Sequence, residues 1–193
     1  AVFVCYPRLL SGCSIGSRLA LQSLLMRTRK LQQVNYPFLI ISLEGTITLS
    51  SSDRRRLQHP AVAGVILFHQ QDGPTAQIQE LIHTIKAINN EIVIMIDQEG
   101  GSVKRFSCSA PMLGSHYDLA QLDHSQSYDQ IAQTAAYLKE IGVDLNLGPV
   151  LDIHSLACPI IGERNRAFSQ DPVIIEKYAS IWIQAHQDYG VMC

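Results

Sequence analysis

Two acidic residues separated by a single residue, and followed directly by two glycines, form the part of the sequence best suited to chemistry. They are Asp97 and Glu99, in the segment Asp97-Gln98-Glu99-Gly100-Gly101. In an extended segment the two side chains share a face, about 6–7 Å apart along the chain. Glycoside hydrolysis uses two carboxyl groups about 5–5.5 Å apart for retention, or about 6.5–9.5 Å apart for inversion. The spacing therefore permits a catalytic pair, and equally a turn whose acids face water or cap the next helix.

The two glycines are a second sign of function at this point. Consecutive glycines adopt backbone conformations that are closed to other residues, and they let a ligand approach the main chain closely. The polar segment also follows directly on Ile92–Ile96, an apolar run rich in β-branched residues. It therefore starts where a buried strand is predicted to end.

Four apolar runs predict the strands that would position this segment. Helices cover both faces of a parallel sheet, so its buried strands are apolar on both sides and not alternating. The fourth run alternates in its first half and is interrupted by Gly148-Pro149. The four runs are Phe38–Ile41, Val62–Phe68, Ile92–Ile96 and Val143–Leu151.

Apolar stripes at helical spacing separate these runs and predict core-facing helices. A proline suited to a first helical turn precedes the first stripe, Gly142 stops the second, and Asp171-Pro172 and Gly190 bound the third. Arg54–Arg56 are expected to form the solvated face of a short helix. The stripes are Ile78, Leu81, Ile82, Ile85 and Ile88 after Pro74; Ile131, Ala135, Leu138 and Ile141; and Ile175, Tyr178, Trp182 and Ala185.

Alternating strands and helices predict a parallel α/β fold, either a doubly wound sheet or a (β/α)8 barrel. The dinucleotide-binding pattern Gly-x-Gly-x-x-Gly does not follow the first strand, which disfavours the doubly wound sheet. Polar residues follow each strand, as at the active-site rim of a barrel: Glu44, His69, Asp97 with Glu99, and Asp152 with His154. A full barrel needs about 250 residues. We therefore predict a partial (β/α)8 TIM barrel, with about the first four βα units plus the start of the fifth strand.

The domain division expected from this pattern has two parts. Residues 1–35 lack it and are expected to be an irregular extension, with Met26 as the natural start. Residues 36–193 are expected to form the N-terminal half of the barrel.

The bulk composition is that of an ordinary globular protein. The 193 residues are 47% hydrophobic with a formal net charge of -2, so no electrostatic argument points to nucleic acid or an anionic membrane. No apolar run approaches the roughly 18 residues of a membrane helix, and no secretory signal is expected. The five cysteines fit no zinc or redox motif and are interpreted as reduced thiols of a cytosolic protein.

The segment from Asp97 to Phe106, Asp-Gln-Glu-Gly-Gly-x-Val-x-Arg-Phe, resembles the hallmark of the bacterial β-N-acetylglucosaminidases of glycoside hydrolase family three. The resemblance runs from about residue 37 to the end of the sequence. Further segments resemble the family in the same order, namely Ile41–Gly45, His59–Phe68, Gly148–Ile153, Pro159–Gly162, Arg166–Ser169 and Asp171-Pro172.

The resemblance assigns the site residues differently from the spacing argument. It implies that Asp97 holds hydroxyls of the non-reducing sugar and is not the nucleophile, and that Arg105 supports the loop or lines the pocket. It also implies an arginine contact from the loop after the fourth strand. Counting back from Asp171-Pro172 favours Arg166, and counting forward from Gly162 favours Arg164, because this loop is about two residues longer than usual.

Asp152 is interpreted as a supporting residue, and His59, His83 and His186 are expected to lie on helices or turns without a catalytic role. A loop-buttressing aspartate with satisfied hydrogen bonds is favoured for Asp152 over one that faces the rim. A metal site at Asp152 and His154, or at His69 and Asp97, is disfavoured because ligation needs at least three converging side chains. We expect no metal and no cofactor.

The function implied by the resemblance is hydrolysis of terminal β-linked N-acetylglucosamine with retention, in cytoplasmic peptidoglycan recycling. The substrate would be an N-acetylglucosamine-containing muropeptide sugar. The histidine acid/base and the aspartate nucleophile would lie beyond Cys193, so this chain alone is expected to be inactive. The alternatives are a catalytically dead gene remnant, one half of a split enzyme with weak sugar binding, or a relative that acts on β-glucosides. Self-association through open barrel edges is also expected.

Overall fold

The computed structural model describes residues 39–193, and its sheet has four parallel strands in the order β1-β2-β3-β4. The strands are β1 (Leu39–Ser42), β2 (Val62–Leu67), β3 (Val93–Ile96) and β4 (Leu145–Asn146). Every strand pairs with its neighbours in sequence, which is the order of a (β/α)8 barrel. A doubly wound sheet would instead reverse direction at a switch point. The partial-barrel prediction is confirmed.

The beginning of a fifth strand follows β4 in the same order. Leu145 and Met192 form a parallel bridge. The Asn146 N–H donates to the Met192 carbonyl at 2.9 Å, and the Met192 N–H donates to the Asp144 carbonyl at 2.9 Å.

Three helices lie where the apolar stripes predicted them, a short helix contains Arg54–Arg56 as expected, and the four-residue helix His116–Leu119 was not predicted. They are α1 (Ser51–Leu57), α2 (Thr75–Ile88), α3 (His116–Leu119), α4 (His124–Ile141) and α5 (Pro172–Asp188), with a 3₁₀ turn at His69–Gln71. Asp171 caps α5 by accepting a hydrogen bond from the Val173 N–H, and Gly142 ends α4 with φ of 92°. All the stripe residues are buried except Ile88, which is partly buried.

The fourth strand is much shorter than the predicted run Val143–Leu151. The Val143 N–H donates to the Leu138 carbonyl, so this residue belongs to the end of α4. Beyond Asn146, Pro149 has no N–H to give to a ladder, and Leu147 and Leu151 are exposed. Leu151 and Ile153 are therefore apolar residues with exposed side chains, and they do not belong to a strand.

The loop after β1 is held by a buried carboxylate. Asp53 in α1 accepts hydrogen bonds from the N–H groups of Glu44, Gly45 and Ser50 and from the Ser50 hydroxyl. Burial alone would raise the pKa of Asp53, but these hydrogen bonds outweigh it and lower the pKa from 3.8 to about 2. Arg56 also pairs with Asp53 at 2.6 Å, so the basic run is anchored and not merely solvated.

The predictions for residues 1–35 and for Met26 lie outside the described residues, as do Phe38, Cys5 and Cys13. Within residues 39–193, Cys108, Cys158 and Cys193 are exposed free thiols. In the same range, no helix is long and apolar enough to cross a membrane.

Candidate sugar-binding site

The loop after β3 carries the candidate site, and its two glycines are required by its own backbone. Gly100 and Gly101 have φ of 88° and 52°, a region that side chains rarely adopt. A Cβ on Gly100 would lie 2.3 Å from the Gly114 carbonyl oxygen, and one on Gly101 would lie 2.6 Å from the Ser115 Cβ. The unusual backbone was predicted correctly, but the close approach comes from residues 113–115 of the same chain.

Asp97 stands at the carboxyl end of β3, paired with an arginine from its own loop. The Arg105 Nη2 donates to the Asp97 Oδ2 at 2.6 Å, and the two side chains are 27% and 22% exposed. Arg105 also lies over the Phe68 ring, with its Cζ 5.3 Å from the ring centroid. The pair thus presents a carboxylate and a guanidinium of fixed orientation to solvent, which suits recognition of hydroxyl groups.

Glu99 is turned away from solvent and is fully engaged. Its side chain is 6% exposed. The Arg166 Nε and Nη2 donate to the two carboxylate oxygens at 2.9 and 2.8 Å. Glu99 therefore neither faces water nor caps a helix, and with both oxygens occupied it is badly placed to act as a nucleophile or acid. This arrangement also disfavours the interpretation of Asp97 and Glu99 as a catalytic pair.

Arg166 links the loop after β3 to the long loop after β4. Hydrogen bonding to Glu99 raises the pKa of Arg166, and the charges of Asp152 and Asp97 raise it further. Its side chain in the ion pair is 21% exposed, so Arg166 is less deeply buried than Glu99. The count back from Asp171-Pro172, which favours Arg166, therefore selects the arginine that pairs with Glu99.

Arg164 takes no part in the ion pairs of Asp97 with Arg105 and of Glu99 with Arg166. It is exposed, and no side-chain hydrogen bond or ion pair involves it within the described residues. Its carbonyl oxygen accepts from the Ser102 hydroxyl at 3.4 Å. Asn165, between the two arginines, has φ of 53°, in the left-handed region.

The other polar residues predicted at the rim take no part in the ion pairs of Asp97 and Glu99. Asp152 is exposed and makes no hydrogen bond in the described part of the chain, so the favoured interpretation of a buttressing aspartate is wrong. His154 is buried, with Nε2 3.3 Å from the Asn165 Oδ1. His69 is exposed. Among residues 39–193, no group of three or more His, Cys, Asp or Glu residues is arranged to hold a metal ion.

Several buried polar residues behind the loop were given no functional role from the sequence. Gln98, His116, Asn146 and His186 are all 0–1% exposed. Asn146 stands inside an apolar run, and His186 follows Trp182 by four positions on the buried stripe of α5. A polar residue at a core position is the signal that could have identified them, because buried polar groups need partners.

His116 is a packing residue in a neutral form. Its ring stacks on Trp182 with centroids 4.8 Å apart, and it meets the Phe168 ring edge-on at 4.5 Å. The Val150 N–H donates to its Nε2 at 3.2 Å. Burial, with a smaller effect of the Arg166 charge, lowers the pKa of His116 from 6.5 to about 3.

Residues 26–193 match the model of the glycosyl hydrolase family 3 N-terminal domain. The chain belongs to glycosyl hydrolase family 3. Among the curated family relatives, a β-hexosaminidase of Xanthomonas oryzae pv. oryzae is 37% identical over 163 residues, covering 79% of this chain and 47% of that protein. A β-hexosaminidase of Nitrosomonas eutropha is 35% identical over 162 residues, covering 80% and 46%. The chain therefore spans about half the length of the curated relatives it matches.

Solved structures of family 3 proteins give the same picture of the fold. NagZ from Neisseria gonorrhoeae, solved in native form and in complex with N-trifluoroacetyl-D-glucosamine, matches with a TM-score of 0.71 and 29% identity. The match covers 78% of this chain and 47% of that one. A family 3 β-N-acetylglucosaminidase from Paenibacillus matches with a TM-score of 0.73 at 24% identity, which supports the fold alone.

Proposed function

We propose that Asp97, Arg105 and Arg166 form the sugar-binding part of a retaining β-N-acetylhexosaminidase site. The observation that carries this proposal is the partly exposed Asp97 carboxylate, fixed by Arg105 at 2.6 Å at the carboxyl end of β3. Active sites of barrel enzymes lie at that end of the strands. The β-hexosaminidase relatives support the activity, and the family resemblance supports the assignment of Asp97 to the non-reducing sugar.

The chemistry of this site follows from its charges. The Asp97 carboxylate accepts hydrogen bonds from two sugar hydroxyls, which fixes the orientation of the ring. The guanidinium groups of Arg105 and Arg166 donate to further oxygens of the sugar. Glu99 holds Arg166 in place without touching the ligand, because both of its oxygens are occupied.

The remaining chemistry belongs to residues outside this half of the barrel. An aspartate nucleophile attacks the anomeric carbon to form a glycosyl-enzyme, and a histidine protonates the leaving oxygen. The substrate in this proposal is the N-acetylglucosamine end of a muropeptide sugar in cytoplasmic peptidoglycan recycling, as the resemblance implies. A polypeptide of these 193 residues alone would then hold the sugar without hydrolysing it.

A chimera supplies a second half of the barrel for an experiment. It joins residues 1–193 to the part of the Xanthomonas oryzae β-hexosaminidase that follows the matched region, and it is assayed with a chromogenic β-N-acetylglucosaminide. Asp97→Ala is expected to remove about 2–4 kcal/mol of transition-state stabilisation, a loss of about 30- to 1,000-fold in kcat/KM. Glu163→Ala, which removes an exposed carboxylate from the loop after β4, is the matched control and should leave kcat/KM unchanged.

The arginines are tested in the same assay. Arg166→Ala is expected to lower kcat/KM and weaken inhibition by N-acetylglucosamine, whereas Arg164→Ala should change neither. Equal losses for both variants would assign a sugar contact to Arg164 as well. Near wild-type kinetics of Asp97→Ala would remove Asp97 from the site. A folded chimera that binds N-acetylglucosamine without hydrolysis would favour a non-catalytic remnant.

A further inference from the structure

A continuous chain of hydrogen bonds connects helix α5 to the candidate sugar-binding loop. It runs from His186 to Asn146 in β4 and from there to Gln98, which lies between Asp97 and Glu99. All three residues of this chain are 0–1% exposed. In such a dry environment each polar group must be paired, so the connection is geometrically strict.

Asn146 acts as a side-chain continuation of the sheet. The last main-chain bond between β3 and β4 runs from the Leu147 N–H to the Ile96 carbonyl, at 2.7 Å. Beyond it the loop leaves the sheet, and the Asn146 amide takes over the pairing. The Gln98 N–H donates to the Asn146 Oδ1 at 3.0 Å, and the Asn146 Nδ2 donates to the Gln98 carbonyl at 3.1 Å.

The Gln98 side chain, in turn, fixes the main chain of residues 105 and 106 at the far end of the loop. Its Oε1 accepts hydrogen bonds from the N–H groups of Arg105 and Phe106 at 2.9 and 3.1 Å. Its Nε2 donates to the Phe106 carbonyl at 2.9 Å. The main chain of Arg105, the partner of Asp97, is therefore fixed by the residue that Asn146 holds.

His186 determines the orientation of the Asn146 amide. The Trp182 carbonyl can only accept, so the His186 Nδ1, 2.9 Å from it, carries the proton. Burial lowers the pKa of His186, which keeps the ring neutral and leaves Nε2 as an acceptor. The second hydrogen of the Asn146 Nδ2 points to this Nε2 at 3.0 Å. A flipped Asn146 amide would turn its oxygen toward the Gln98 carbonyl and lose both bonds to that peptide.

We propose that Asn146 and His186 are positioning residues of the sugar site, which act through Gln98 to hold Asp97 and Arg105 in the geometry that binds the substrate. The inference rests on the proposed function, since it assumes that this loop binds the sugar. Neither residue touches the ligand. Displacement of a binding group by about 1 Å can reduce turnover a hundredfold, so loosening the Gln98 peptide has a large kinetic effect.

The test uses the chimera and three substitutions of one buried histidine. His186→Gln keeps an acceptor near the position of Nε2 and should retain most of the activity. His186→Leu removes that acceptor and leaves an Asn146 hydrogen unpaired. His186→Asn keeps a donor for the Trp182 carbonyl but is too short to reach Asn146, and it serves if the Leu variant does not fold. The Leu and Asn variants are both expected to lose at least about tenfold in kcat/KM.

A matched control separates positioning from stability. Tyr178→Phe, on the same helix, deletes one hydrogen bond to the Leu122 carbonyl, 2.6 Å long and outside this chain of bonds. It should lower the midpoint of urea unfolding while leaving kcat/KM and the inhibition constant of N-acetylglucosamine unchanged. The inference is overturned if the Leu and Asn variants behave like Tyr178→Phe, or if His186→Gln is as impaired as they are.

Asp97→Ala in the same series keeps the two proposals distinguishable. If Asp97→Ala is severely impaired and the His186 variants are not, the sugar site stands and the positioning role is wrong. If Asp97→Ala is near wild type, the proposed function itself fails. Loss of activity in both Asp97→Ala and His186→Leu, with rescue by His186→Gln, supports both proposals.

Discussion

Removing Arg166 is expected to destabilise the fold as well as the sugar site. Its bidentate pair with Glu99 joins the loops after β3 and β4, and the Glu99 side chain is 6% exposed. In the variant Arg166→Met, the carboxylate loses both of its partners and remains buried. Breaking a buried pair in this way costs about 3–5 kcal/mol. Because the Arg166 side chain is 21% exposed and water can enter its place, the lower end of that range, about 3 kcal/mol, is expected.

A double substitution separates the stability of the pair from its role in binding. Glu99→Met with Arg166→Met removes both charges, and replacing a whole buried pair by apolar residues is often nearly neutral. The double variant should therefore recover most of the unfolding free energy lost by Arg166→Met. It should not recover activity, because the proposed sugar contact of Arg166 is still absent.

The assay is urea unfolding of the chimera, followed by fluorescence and by far-ultraviolet circular dichroism. Arg164→Met is the matched control, since that side chain is exposed and unpaired within residues 39–193, and its effect should stay within about 0.5 kcal/mol. If Arg166→Met costs no more than Arg164→Met, the buried-pair argument is refuted. Recovery of activity in the double variant would show that the only role of Arg166 is to pair with the buried Glu99 carboxylate, and that it does not contact the sugar.

Three further predictions concern the whole half barrel. The pKa of His116 is lowered from 6.5 in the unfolded chain to about 3 in the folded chain, so below pH 6.5 the unfolded chain binds a proton that the folded chain does not. The free energy of unfolding, measured with urea, should therefore fall by about 2 kcal/mol between neutral pH and pH 5, and His116→Gln should reduce this pH dependence. Asp53 has its pKa lowered from 3.8 to about 2, so its contribution of about 2–3 kcal/mol should persist at pH 5 and disappear only below about pH 4, and Asp53→Asn should remove it at every pH. The 193-residue polypeptide alone should self-associate, because Leu151, Ile153 and Ile183 form an exposed apolar surface and the outer edge of β1 has no partner strand in the described sheet; a monomer at all micromolar concentrations in sedimentation would contradict this.

The fold was predictable because strand runs and helical stripes are strong, local signals. Ile78, Leu81, Ile82 and Ile85 are buried as their spacing requires. Asp171 and Gly142 mark a helix start and a helix end by chemistry that needs no tertiary contact. Strand lengths were less predictable: whether Leu151 and Ile153 face the core or the surface depends on the turn after Asn146, which hydrophobicity alone does not define.

The candidate site was predictable in its residue types but not in its pairings. Asp97 and Arg105 are eight positions apart; the family resemblance assigned both to the site but did not predict their ion pair. The pair of Glu99 with Arg166 joins residues 67 positions apart, a separation over which local sequence patterns carry no signal. The error over Asp152 has the same origin, since a sequence does not reveal which rim carboxylate will find donors.

The turn of the backbone after β3 explains why one loop contains two carboxylates with different environments. Both follow β3 with one residue between them, so a continued strand would have placed them on one face. The positive φ of Gly100 and Gly101 instead turns the loop back on residues 113–115, and the Glu99 N–H bonds to the Val103 carbonyl at 3.0 Å. Glu99 is thereby buried against Arg166, while Asp97 keeps a partly exposed side chain beside Arg105. The buried acid orients a cation, and the partly exposed acid is left available for a ligand.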